Sequence, residues 1–139
     1  MAKGTDLFIT KKIQTPCYTL LPANTTVLAT LYTASADDAV VKSIMVRSND
    51  SAAQNIVVAI NNGASDFILG VVNVPINSGS TGAIASVDLL SGTLLPGLPY
   101  DQNGKRILPL CGGYLLKVGV LVTITTAKQA DIIAIVEEY

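Results

Sequence analysis

Cys17 and Cys111, the adjacent acidic pairs Asp37-Asp38 and Glu137-Glu138, and two loops rich in Asn and Gly are the residues whose types could carry chemistry. A thiol needs a base to act as a nucleophile, and the 139-residue chain has no histidine. That removes Cys–His pairs, His-based triads and the usual zinc sites together. In a reducing cell Cys17 and Cys111 are two reduced, partly buried thiols; a disulfide formed after release from that cell is the alternative. Neighbouring carboxylates on a strand point to opposite faces, so neither acidic pair converges for general acid–base work. Both pairs read as solvated turn and terminus residues. The loop Asn77-Ser78-Gly79-Ser80-Thr81-Gly82 is followed by Ala83 and Ile84, whereas a phosphate cradle needs a lysine and a hydroxyl residue there. Asp101-Gln102-Asn103-Gly104 lacks the further oxygen ligands and closing glutamate of a calcium loop. Asn103-Gly104 instead predicts a type I′ turn joining residues 98–100 to 106–110. Tyr18, Tyr32, Tyr100, Tyr114 and Tyr139 lie on unrelated segments and predict no sugar groove. The expectation is a chain with no enzymatic activity, no cofactor and no metal.

These side chains have to be positioned by strands. Half of the residues are hydrophobic, 14% are charged, and there is no Trp, so the apolar content is Val, Ile, Leu and Ala. Three apolar runs, residues 40–46, 56–60 and 67–74, are divided by Ser48-Asn49-Asp50-Ser51 and Asn61-Asn62-Gly63-Ala64-Ser65. They predict consecutive antiparallel strands. In the middle run Ile56, Val58 and Ile60 share one face, while Val57 and Ala59 make the other face apolar too. Such a strand is covered on both sides, by a second sheet or by another subunit.

Around this centre the chain divides into an extended arm, residues 1–24, and a β-sandwich domain, residues 25–139. Leu7, Phe8 and Ile9 in the arm are apolar enough to dock on a partner, a frayed terminus being the alternative. Pro16 and Pro22 bracket an edge piece, and residues 25–33 form the first full strand. Residues 85–90 hold the single plausible helical turn, and residues 94–100, with two prolines, form a loop packed across the sheet. Leu116, Val118, Val120, Val122 and Ile124 alternate along a strand at 114–126, with Gly119 opposite them where another backbone comes close. The last strand spans 130–138. The count of about eight strands predicts an all-β jelly-roll-like sandwich.

A net charge of −1 argues against a nucleic-acid surface. No apolar run reaches the ~18–20 residues of a membrane span, and Met1-Ala2-Lys3-Gly4-Thr5-Asp6 has no secretory h-region. Low charge and two-sided strands predict a homo-oligomer.

The ordered series LYTASADDAVVKSIMVRSNDSAAQNIVVAI, LGVVNVPINSGSTG, VDLL, LPYDQNGKRILPL, GGYLLKV and a final aromatic after acidic residues resembles small structural proteins of tailed bacteriophages and prophages. The likeness covers residues 27–139. It implies a virion component made in the host bacterial cytoplasm, with no catalytic residues to carry over. The expectation drawn from it is a capsid decoration or cement protein, a homo-oligomer taken as a trimer, with the major capsid protein or other virion proteins as partners. It would make no direct contact with nucleic acid or membrane. A neck, collar or tail component is the alternative, as is a receptor- or carbohydrate-binding module, which would need aromatics clustered at one end of the sandwich.

Overall fold

The computed structural model describes residues 12–91 and 94–139. The strands are β1 Lys12–Gln14, β2 Cys17–Leu20, β3 Ala29–Thr33, β4 Ala39–Ser48, β5 Gln54–Asn61, β6 Asp66–Val74, β7 Val87–Asp88, β8 Leu108–Leu110, β9 Leu115–Val120 and β10 Ala130–Glu138. They form two antiparallel sheets, one of six strands and one of four in the order β3-β9-β5-β6. In the larger sheet β1 and β2 lie end to end along one side of β10, β4 follows, and β7 and β8 lie along the far side of β4. Taking each end-to-end pair as one place, the larger sheet reads (β1,β2)-β10-β4-(β7,β8). Facing β3-β9-β5-β6, this is the strand order of a jelly roll. The sandwich is all-β, with one 3-10 turn, at Pro22–Asn24, among the described residues.

The core is built by alternation. Val41, Ile44 and Val46 of β4, Ile132, Ala134 and Val136 of β10, Ile56 and Val58 of β5, and Leu116 and Val118 of β9 are all fully buried between the sheets. A bulge at Lys42 shifts the β4–β10 register, pairing Ser43 with Ile135 but Val41 with Val136. It keeps apolar side chains inward on both sides of the irregularity. Leu95 and Leu98 anchor the loop after residue 93 in this core. A Cβ at Gly70 would lie 2.4 Å from Leu95 Cδ2, so that loop packs where Gly70 has no side chain.

Several expectations are corrected. The three central runs are strands, but β4 and β5 do not pair: β4 lies between β10 and β7/β8, and β5 between β9 and β6. Only β5–β6 is a hairpin, because the connection at residues 49–53 crosses from one sheet to the other. Both faces of β5 are buried within one chain. Its outward Ala59 lies between Lys117 of β9 and the β6 strand, and Lys117 Nζ reaches Asp66 of β6 at 3.2 Å. That ion pair straps β5 from the outside, so its second apolar face needs no other subunit. Residues 87–88 form a strand on β4 instead of a helical turn, since the Asp88 carboxylate accepts the Ile44 and Leu90 N–H groups. The strand expected over 25–33 begins at Ala29, after Thr25 takes a positive φ of 51°. The strand expected over 114–126 ends at Val120. Residues 12–20 of the expected arm lie within the sheet along β10, and Leu20 is a core residue.

Candidate interaction surface

The acidic pairs do not behave alike. Asp38 Oδ1 accepts the Gly112 N–H at 2.9 Å, and Glu137 pairs with Lys42 at 3.3 Å. Glu138 is buried, against the expectation of a solvated terminus, because β10 turns it inward while Glu137 faces out. It accepts the Gln14 amide at 2.7 Å, the Tyr32 hydroxyl, and the Ser35 hydroxyl at 3.4 Å. Burial, the hydrogen bond given to Glu138, and that carboxylate's charge hold the Tyr32 phenol pKa above its ordinary value. The cluster ties β1 and β10 of one sheet to β3 of the other. Among the described residues, no three of Cys, Asp or Glu gather as a metal-binding group.

Cys17 and Cys111 are free and exposed, where partial burial was expected. Cys17 aligns with Ile133, whereas Leu110, next to Cys111, aligns with Ala39 opposite Glu138. The span of β10 from Ile133 to Glu138, roughly 17 Å at the usual strand rise, separates them. A disulfide within one chain needs Cα atoms within about 7 Å. Leu7, Phe8 and Ile9 lie outside the described residues.

The 101–104 turn is of a different type from the one expected. Gly104 has φ +76°, but Asn103 is not left-handed. The Gly104 N–H bonds to Asp101 O at 3.1 Å, and Asp101 N–H bonds to Lys105 O at 2.7 Å. This is a type I turn followed by a left-handed glycine. Asp101 Oδ1 accepts the N–H groups of Asn103 and Lys105, doing locally what a second positive φ does in a type I′ turn. The hairpin shrinks to one bridge between Tyr100 and Arg106, and β8 joins β4 instead. Arg106, which sequence reading passed over, stacks 4.5 Å from the Tyr100 ring centroid and donates to the carbonyls of Leu98 and Pro96. A Cβ at Gly104 meets open space, so substitution there strains only the backbone. Gly104→Val should cost about 1–2 kcal/mol and Gly104→Asn much less, read as melting temperatures. Equal melting of the two variants would remove this assignment.

The connections β2–β3, β4–β5, β6–β7 and β9–β10 all meet at one end of the sandwich, as the strand directions require. There the fully buried Asp50 is the central acceptor. Its Oδ1 takes the Ala52 N–H and the Thr125 hydroxyl; its Oδ2 takes the Thr125 N–H and the Gln54 amide at 2.6 Å. Asn49 exchanges two bonds with Gln129, the Ser48 N–H bonds to Ser78 O, and the Ser80 hydroxyl bonds to Ser48 O. Three of the four connections are thereby locked together. Exposed on this braced end are Leu21, Val27, Ile76, Leu121 and Val122, the last 69% accessible. A second apolar surface is the outward face of the six-stranded sheet, where Ile13, Met45, Ile133 and Ile135 are exposed.

No family model matches the chain, and neither does any curated protein. Among solved structures, it is similar to a pentameric capsid protein isolated from metagenomic phage sequences, at 19% identity and a TM-score of 0.38. The similarity covers 89% of this chain and 61% of that one, so the chain spans about three fifths of that protein's length.

Proposed function

We propose that this chain is a non-enzymatic structural component of a bacteriophage particle, a decoration or cement protein that binds the capsid shell as a homo-oligomer, taken as a trimer. The face set against the shell is the loop end that carries Leu21, Val27, Ile76, Leu121 and Val122. The observation behind this reading is that Ile76, Leu121 and Val122 sit on connections braced by a buried hydrogen-bond network, with Leu21 and Val27 exposed beside them at the same end. Apolar side chains on loose loops lose much of their binding energy to ordering; on a rigid end that cost is already met by folding. An interface of ~1,600 Å2 at ~25 cal/mol per Å2 gives tens of kcal/mol of gross burial, largely offset by association costs. Many copies on one shell then add resistance without strong single contacts.

Jelly rolls also occur as lectin domains, so the fold by itself does not choose a role. The tyrosines do not favour a sugar site: Tyr32 is buried on Glu138, the Tyr18 hydroxyl accepts the Asn24 amide, and Tyr100 lies under Arg106. Particles lacking the protein should break or leak genome at lower temperature and lower ionic strength, yet adsorb to cells normally. The double variant Leu121→Asp, Val122→Asp should melt like wild type and fail to load onto those particles. Normal particle stability with lost adsorption would overturn this reading in favour of a receptor-binding module, and full loading of the double variant would overturn the choice of face.

A further inference from the structure

We propose that a groove on the outward face of the six-stranded sheet receives residues 1–11 of a second copy, with Phe8 or its neighbours Leu7 and Ile9 seated in it. This rests on the homo-oligomer reading above and names the contact that builds it. The groove encloses about 280 Å3 and is lined by Met45, Arg47, Gly79, Ser86, Asp131 and Ile133. Met45 and Ile133 are cross-strand partners and form its floor, and Ile135 extends the apolar strip along β10. The Arg47–Asp131 ion pair, at 2.8 Å, borders it. One wall is the connection after β6, which can descend because Gly79 has no side chain. A Cβ there, at φ +70°, would stand 3.1 Å from Ser86 Cβ and 3.3 Å from Arg47 Cγ. A groove of this size, floored by Met45 and Ile133, suits one or two apolar side chains.

The occupant is indicated by where the described chain begins. Lys12 aligns with Glu138 on the margin of this same sheet, and the Gln14 amide fixes that point by its bond to Glu138. Followed backwards from Gln14, the chain runs off the Glu138 end of β10, whereas the groove lies toward the Asp131 end. Reaching its own groove would require a full reversal. The stretch Leu7-Phe8-Ile9-Thr10-Lys11-Lys12-Ile13 has none of the Gly, Pro, Asn or Asp that tight reversals use. Eleven residues extend to at most about 40 Å, enough to cross to an adjacent copy. The groove of a neighbour is therefore within reach of the arm, whereas its own is not.

Cys17, exposed beside Ile133, is a reporter already in place. Full-length F8C/C111S protein, mixed from isotopically heavy and light preparations and mildly oxidised, should yield a disulfide between position 8 and Cys17 that includes heavy–light pairs. Adding I133E should abolish it without lowering the melting temperature; M45E serves if I133E does not fold. Removing residues 1–11 should shift the sedimenting species toward monomer at micromolar concentration. Links confined to one chain, no link, or links that survive the groove charge would each overturn the proposal. The test uses purified protein alone, so its failure leaves the virion reading standing. Normal arm exchange by a chain that never loads onto particles would instead sink the virion reading.

Discussion

Asp50→Ala should lower stability by about 3–5 kcal/mol at neutral pH, because it removes one buried acceptor from four donors at once. The Ala52 and Thr125 N–H groups, the Thr125 hydroxyl and the Gln54 amide all end on this carboxylate. Gln54 turns its NH2 toward Asp50, which leaves its own Oε1 buried without a partner among the described residues. Burial pushes the Asp50 pKa up. The Thr125 hydroxyl and N–H, the Ala52 N–H and the Gln54 amide outweigh it and bring the carboxyl from 3.8 down to about 2. A folded pKa below the unfolded one stabilises above the unfolded value and loses that stabilisation as pH falls through the folded value. The loss therefore runs from about pH 4 to about pH 2, and a shift of this size corresponds to roughly 2 kcal/mol. Denaturant unfolding of wild type and Asp50→Asn across that range measures it. The wild type should lose stability more steeply than the variant, and parallel pH profiles would show that Asp50 is not the braced acceptor described.

Ile132→Ala should cost about 2–5 kcal/mol, while Ile133→Ala should stay within about 0.5 kcal/mol. The residues are neighbours on β10, yet Ile132 is fully buried between the sheets and Ile133 is 42% exposed on the outer face. Removing three carbons from the first leaves a cavity that Val46 and Tyr18, on the flanking strands, are too constrained to fill. Removing them from the second trims the outer face and takes nothing from the core of its own chain. The contrast tests the β10 register directly, because a slip of one residue would exchange the two values. Similar losses at both positions would contradict the sandwich as described.

Strand positions were legible because β-branched runs between Asn, Asp, Gly and Ser clusters leave few other conformations. The runs at 40–46, 56–60 and 67–74 all lie within strands, and the last strand was placed at its observed bounds, Ala130–Glu138. Partnerships were less legible. The Asn49-Asp50 cluster has the composition of a surface hairpin turn, and nothing local says that its carboxylate is buried against Thr125, far along the chain. The crossing between sheets follows from that distant contact. Periodicity also failed at Val122: it continues the alternation of Val120 and Ile124, both 2% exposed, yet lies on the surface because the strand has already ended. Apolar residues left outside look, in sequence, like those inside. The loop end and the outer groove therefore emerged only with the fold. Arg106 was hidden for a similar reason, since its carbonyl partners become neighbours only once the 101–104 turn closes.

The pairing of β10 with β1, β2 and β4 has a consequence for the order of events during synthesis. The larger sheet has no centre until its last strand has left the ribosome, and β3 and β5 likewise wait for β9. Until then β4 lacks its longest pairing, and among the described strands the β5–β6 hairpin is the early local one. Closure over such sequence separations places folding on the order of milliseconds to seconds, slow for a chain this short. The loop end proposed to meet the shell also forms late, because Thr125 must arrive before Asp50 can hold the earlier connections in place. On the proposed reading, a subunit whose loop end is braced only after β10 forms is protected from joining an assembly half-made.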